Sequence, residues 1–501
     1  MNRLFKLSLV SGLILVAPIV AGTLWYAWSA YATIDRYRRV IEPGRALDAE
    51  SFQIALHDEL VRDLRWLSLS ERTTHRQLDT FSLSLKRSSL DGLAEQLEKK
   101  KKGPKTYVPL LVEKDGKIRK GTVRYRGDQP WHALGAQKSL KIELEKGELL
   151  DGVRVFNLIN DPTPFGLEDQ LILDVAREMG LLAPEYHPVR VRINNADMGV
   201  YRFESQPDEA LLRRARRMPG DMYAGESADD SSVFTTTTSW RRIASRTTDK
   251  ESDDKELGQL IAQVGSASYR AFAAYAAESI DLEKYARFEA LDVVFGGSEH
   301  DYLSNHRFYV DPYRGRIEPV AWSFRGFQHE ETFDIIDHPM LMRLKLVPGW
   351  QAARDKAVYG LLTGLASVPS IRARSDKAMA ALVDELSSDP YWDAYKLLPR
   401  ASRFHRFLSR PMTLERWTLS AQAELAGFAV RSRWLLDALE AADLEVARGA
   451  VSPTQDWRAT LTVSGHAAYT VTELRTSASN MRSIASSRVS PWVISLARSG
   501  S

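Results

Sequence analysis

The sequence predicts an α+β protein with an N-terminal transmembrane helix, a strand-rich region behind it and a mainly helical second half. Three observations carry this reading. A long uncharged run opens the chain, the hydrophobic period falls to two near Tyr107, and the helical period returns after Lys255. With 501 residues there is length for two to four domains, or for one large two-lobed one. The chain is 44% apolar and 27% charged, which suits a folded globular protein. A net charge of only +3, with no clustered basic face, gives no sign of a nucleic-acid partner. The absence of cysteine excludes disulfides, thiolate zinc sites and cysteine nucleophiles, and leaves the compartment open.

Residues Leu7 to Ala32 carry no charge, a run longer than the roughly 20 residues that span a bilayer. Arg3 and Lys6 precede it, and Asp35, Arg36, Arg38 and Arg39 follow. Trp25, Tyr26, Trp28 and Tyr31 sit where an interfacial aromatic belt belongs. A cleaved signal peptide ending near Ala21-Gly22 competes with an uncleaved anchor. The length of the run favours the anchor. The expected location is a bacterial inner membrane, crossed once over residues 1–32, with the bulk of the chain periplasmic or extracellular.

Residues 33–104 read as a membrane-proximal helical segment, because Leu60, Leu64 and Leu67, and then the stretch Leu83 to Leu97, recur at helical spacings. Its basic end, Lys99 to Lys102 with Lys105, reads as a solvated helix end and linker. Residues 105–226 read as mostly strands. Val108, Leu110 and Val112 alternate, a turn falls at Lys114 to Lys117, and Thr122–Arg126 and Lys138–Leu144 continue the pattern. One helix interrupts it, with Leu167, Leu171, Val175 and Met179 four apart and Gly180 as its stop. A hairpin then turns at Asn194-Asn195. Residues 227–255, rich in Ser, Thr and Asp, read as a mobile insertion, 256–450 as a helical region, and 451–501 as a strand-rich end.

The block Ser298 to Trp322 carries the chemistry. Asp301 and Asn305 stand four apart just after a helical segment, followed by strand Phe308–Val310, turn Asp311–Gly315 and strand Ile317–Trp322. Kinase-type phosphoryl-transfer sites are built this way: an Asp takes the substrate proton, an Asn holds a metal, and a hairpin ends at a second metal ligand. The expected architecture is therefore an atypical protein-kinase-like core of two lobes, an antiparallel-sheet N-lobe and a helical C-lobe.

Several segments, in order, resemble the CotH-like spore-coat kinase family: Arg126-Gly127-Asp128, Lys138-Ser139-Leu140-Lys141-Ile142, Asn157-Leu158, Asn194 with Gly199-Val200-Tyr201, and Asp301 to Trp322. The resemblance covers roughly residues 105–400 and implies a secreted kinase that uses ATP and magnesium to phosphorylate serine on other proteins. An envelope protein, or a glycan, is the expected substrate. The resemblance makes Asp301 the catalytic base and Asn305 a magnesium ligand, against the plain reading of an Asp cap and an Asn turn. Lys138 and Lys141 are the candidates for a lysine that neutralises nucleotide phosphates. They lie on opposite faces of one strand, so one of them points to a cleft, and the family pattern favours Lys138. The loop from Gly127 to Gly135 offers backbone N–H groups to phosphate, with Arg126 adding charge, or is an ordinary hairpin loop. Glu168 and Asp169 open the helix; either one orients the lysine, or both meet the helix dipole. Glu204 is similarly open.

One departure limits the functional reading. The family ends its second strand with Trp-Asp-x-Asp, and the aspartates bind metal, whereas this chain has Trp322-Ser323-Phe324-Arg325. Glu299, Glu318, Glu330 and Glu331 are the spare carboxylates nearby in sequence. Two readings stand: an enzyme with a rearranged site, or a pseudokinase acting as an envelope assembly or binding scaffold. His300, His306 and His329 fit no common zinc spacing.

Overall fold

A computed structural model describes residues 16–28, 31–32, 78–98, 106–126, 137–160, 166–227, 231–246, 254–327, 329–333, 337–389, 414–448 and 459–465. The chain divides into two compact units. The first comprises residues 1–166, 187–204 and 380–421, and the second 167–186, 205–379 and 422–501.

The first unit is built on seven strands: β1 (Thr80–Ser84), β2 (Val108–Lys114), β3 (Lys117–Tyr125), β4 (Leu140–Leu144), β5 (Val155–Ile159), β6 (Tyr186–Ile193) and β7 (Ala196–Ser205). They close into a barrel in the order β1-β2-β3-β4-β5-β7-β6. Alternate residues fill its interior, among them Val108, Leu110, Ile142, Phe156, Val191 and Phe203. Phe81, Phe156 and Phe203 pack against one another in its interior in edge-on and tilted arrangements, with ring centroids 5.2–5.8 Å apart. The β6–β7 hairpin turns on Asn194 and Asn195, at φ 47° and 67°, a left-handed pair that asparagine tolerates and that matches strand twist.

This corrects the expected fold class. In place of the antiparallel-sheet N-lobe of a two-lobed kinase core there is a closed, mixed barrel. Strand β1 closes it, pairing antiparallel with β2 and parallel with β6. Its five residues lie in the stretch expected to be helical. Phe81 and Leu83 are 1% exposed and point inward, so a period of two is hidden among leucines that also fit a helix. Only Arg87–Glu98 of that described stretch is helical. The expected transmembrane helix is corrected as well: among the described residues, no helix is long and apolar enough to cross a membrane. Residues 16–28 are helical, while 7–15 and 29–30 of the uncharged run lie outside the described residues.

The second unit holds a four-stranded antiparallel sheet in the order β11-β10-β8-β9, formed by β8 (Met222–Gly225), β9 (Trp240–Ala244), β10 (His306–Asp311) and β11 (Arg316–Pro319). Strand β9 comes from the segment expected to be a mobile insertion. It is held by Trp240, whose indole N–H donates to the Val233 carbonyl (2.7 Å). Helices Lys255–Gly265, Tyr269–Ser279, Leu282–Phe295, Pro339–Leu344 and Trp350–Thr363 belong to this unit. Its core gathers Phe272, Tyr285, Phe308, Ile317, Leu344 and Trp350. Two further strands, Ala442–Arg448 and Ala459–Gly465, pair as a separate ribbon.

Candidate functional site

In the first unit the register sets Arg124, Lys141 and Asn157 in one row across β3, β4 and β5. Leu140, Ile142, Phe156 and Leu158 pack inside the barrel, so this row lies on the outer face. Glu204 joins it, because Phe203 beside it points inward. The Asn157 amide donates to the Glu204 carboxylate (2.6 Å), and Arg126 Nη2 reaches the same oxygen at 3.2 Å. Arg126 is therefore held by a buried carboxylate, and its backbone N–H donates to the Ser139 carbonyl (2.8 Å). Asn157 Oδ1 is buried and has no hydrogen-bond partner among the described residues, an acceptor left for a donor.

Lys141 is the lysine that lies in this row. Lys138 precedes β4, in an irregular stretch between Gln137, which donates to the Met198 carbonyl, and Ser139, whose hydroxyl accepts from the Asn160 N–H. Gly127 and the rest of the glycine loop lie outside the described residues.

In the second unit the block from Asp292 to Phe327 folds round a buried histidine. His300 is 1% exposed. Its Nδ1 stands 3.0 Å from both Asp292 oxygens and its Nε2 2.6 Å from the Trp322 carbonyl. Both partners are acceptors, so both ring nitrogens carry a proton. Burial opposes that charge, but the Asp292 carboxylate and these bonds outweigh it and raise the pKa. The imidazolium thus ties the end of helix Leu282–Phe295 to the strand exit at Trp322. Gly297 is required beside it, since a Cβ there would lie 2.1 Å from Asp292 Oδ1.

The exit itself runs Trp322-Ser323-Phe324-Arg325-Gly326-Phe327. Phe324 is fully buried and Phe327 is 2% exposed. Gly326 passes so close to Ile172 and Phe295 that a Cβ would meet them at 2.4 and 3.2 Å. Ser323, Arg325 and Phe327 all take positive φ (52°, 44° and 63°), a strained run for residues with side chains. Arg325 is held at both ends: its N–H donates to Asp169 Oδ1 (3.1 Å), and its Nη1 stands 2.9 Å from Glu299 Oε1. The other Glu299 oxygen accepts from the Asn305 amide (3.1 Å), which also donates to the Glu299 carbonyl (3.1 Å). Because both of these partners are acceptors, the nitrogen end of Asn305 faces Glu299.

The expected catalytic base has a local task. Asp301 Oδ1 accepts the N–H groups of Leu303 and Ser304 (2.8 and 3.1 Å), an Asx turn that shapes the loop. The Asp301 carbonyl accepts from His306 Nε2, and burial holds His306 neutral, its pKa pushed down to about 3. Glu168 is buried in the first turn of helix Glu168–Glu178, where both it and Asp169 face the positive helix end. Of the spare carboxylates, Glu318 is fully buried among Arg217, Lys284 and Arg314. Glu299 is the one that the loop brings to Asn305 and Arg325.

As a magnesium site this cluster does not fit. The ion wants several converging oxygens. Here the Glu299 carboxylate is bound by a guanidinium and an amide N–H, Asn305 turns its nitrogen toward it, and Asp301 Oδ1 serves two backbone donors. Among the described residues, no group of three or more His, Cys, Asp and Glu could hold a metal.

Sequence reasoning missed the Asp292–His300 pair and the Glu299–Arg325 pair. A signal for the first was present: Glu289 and Asp292 are the two acids in the otherwise apolar run Phe288 to Phe295, three apart and thus on one helix face. Both are buried, and Glu289 accepts from the Trp350 indole (3.0 Å).

The chain is 24% identical over 227 residues to the inner spore coat protein H of Bacillus subtilis (strain 168), over 43% of this chain and 61% of that protein. It thus spans less than two thirds of that relative's length. The family model described as CotH kinase protein matches residues 123–389, from β3 to Asp389, more than half of the chain and all of the elements described above that carry the candidate residues. The chain belongs to the CotH kinase protein family.

Proposed function

We propose that this protein is a catalytically degenerate member of its family, a binding or assembly scaffold and not a phosphoryl-transfer enzyme. The observation that carries the reading is Arg325, whose guanidinium lies on Glu299 where the family pattern calls for a metal-binding aspartate. A bound magnesium would neutralise the developing charge on a transferring phosphoryl group; without ligands for it, that stabilisation is lost. The relative's name places that protein in a spore coat, which supports an assembly role in an envelope layer, with an envelope protein or glycan as partner.

The competing reading, an active ATP-dependent kinase, draws on one observation: the outer row of the barrel sets Lys141 beside Asn157, with Glu204 hydrogen-bonded to it. There Lys141 would meet nucleotide phosphates and the orphan Asn157 Oδ1 would take a donor from the ligand. The test is radiolabel transfer from ATP, with magnesium or manganese, by the full chain and by Asp301→Ala. The degenerate reading expects no transfer from either. Transfer by the wild type that Asp301→Ala abolishes overturns it.

A further inference from the structure

The loop that lacks metal ligands is not an empty version of a cation site; its polarity is reversed. A cation site turns oxygens inward. Here two N–H donors from separate parts of the block, Arg325 Nη1 and Asn305 Nδ2, converge on an anion, one on each oxygen of the Glu299 carboxylate. The guanidinium is positioned at a cost: Arg325 takes a positive φ of 44°, while Asn305, at 63°, sits in the left-handed region that asparagine tolerates, and Gly326 gives the loop its close passage past Ile172 and Phe295. Strain of this kind persists where the surroundings impose it, and here they aim a guanidinium and an amide at one point.

We propose that Arg325 and Asn305 form a metal-independent site for an oxyanion of the phosphate class, which the Glu299 side chain occupies as an internal plug. The proposal rests on the non-catalytic reading above and names the ligand chemistry of that same loop. Glu299 shows that an anion is accepted there, since its carboxylate makes the two contacts that two phosphate oxygens would make. A guanidinium fork suits a tetrahedral oxyanion, offering paired donors on one plane. Access is open from solvent, as the Arg325 side chain is 59% and the Glu299 side chain 26% exposed. No bond is made or broken: the external anion takes the donors and Glu299 swings out to water. Glu299 therefore sets affinity, because every ligand must displace one carboxylate.

The probe is inorganic pyrophosphate, titrated calorimetrically into the full chain in EDTA and then in magnesium. Wild type, Glu299→Gln, Arg325→Gln and the double variant are compared, with circular dichroism melts confirming that each is folded. Removing the competing charge should tighten binding by about tenfold in Glu299→Gln, the size of one charge-assisted hydrogen bond. Adding Arg325→Gln to Glu299→Gln should abolish the gain, and EDTA should change nothing. Unchanged or weaker binding by Glu299→Gln, binding that survives Arg325→Gln, or binding that needs magnesium each overturns the proposal. The outcomes remain separable from the function assay. Phosphoryl transfer sinks the scaffold reading whatever pyrophosphate does, and failed titrations without transfer sink only the oxyanion site.

Discussion

Acid should destabilise this protein through a histidine, and His306 supplies the magnitude. It is buried, its Nε2 donates to the Asp301 carbonyl, and its ring stands 4.3 Å from that of His338. Burial depresses its pKa to about 3; the nearby His300 and Arg307 charges act in the same direction, and the carbonyl bond opposes them. A depressed histidine is neutral in the fold and takes a proton only on unfolding. Its contribution is full above the unfolded pKa of about 6.5 and is lost as pH falls toward the folded value. Between pH 6.5 and 4.5 the loss is about 2 kcal/mol, at 1.36 kcal/mol per pH unit once the unfolded state is fully protonated. His338 is shifted the same way by burial and adds to the slope. His300 has the opposite sign: its raised pKa contributes fully below about 6.5 and is lost as pH climbs through the folded value. The histidines together therefore place a stability maximum near pH 6.5. The assay is urea denaturation across pH 4.5 to 8.5 for wild type and His306→Gln, which keeps a donor at the same reach but does not titrate. The variant should show a shallower acid limb, by close to one proton. Identical acid slopes in the two proteins would refute the reasoning, since carboxylate titrations common to both cancel in the comparison.

Gly297→Ala should push the Asp292 carboxylate off its contact and break its pair with His300, at a cost of about 2–4 kcal/mol in chemical denaturation. Glu385→Ala should cost about 3 kcal/mol, because Arg190 is fully buried and Glu385 holds it at 2.9 Å, leaving Asp197 in contact and Asp389 nearby to balance its charge. Asp301→Ala should cost only about 1 kcal/mol, the worth of an Asx turn with two backbone donors, as read by the denaturation midpoint. A much larger loss would mean that Asp301 does more than shape its loop.

Much of the barrel wall was legible before any coordinates, because a pleated strand writes its burial into a period of two. Val108, Leu110 and Val112, and likewise Leu140, Ile142 and Leu144, alternate as they pack. The Asn194-Asn195 turn and the helix ending at Gly180 announced themselves through residues that tolerate left-handed backbone. The Asp301 to Trp322 block and its missing aspartates were also plain, since residue identity is a local fact. Closure was not. Strand β1 has five residues, too few to separate a period of two from 3.6, and its parallel partner β6 is about a hundred residues away. That Lys141 falls in one row with Asn157 needed the strand register. That Arg325 stands where the family pattern has a metal-binding aspartate could be read from the sequence; that it grips Glu299, with Asn305 on the other oxygen, depends on a chain path threaded past Ile172 and Phe295. Periodicity records which face of a segment is buried, and it says nothing of which distant segment does the burying. That is decided only when strands and loops compete for partners in three dimensions.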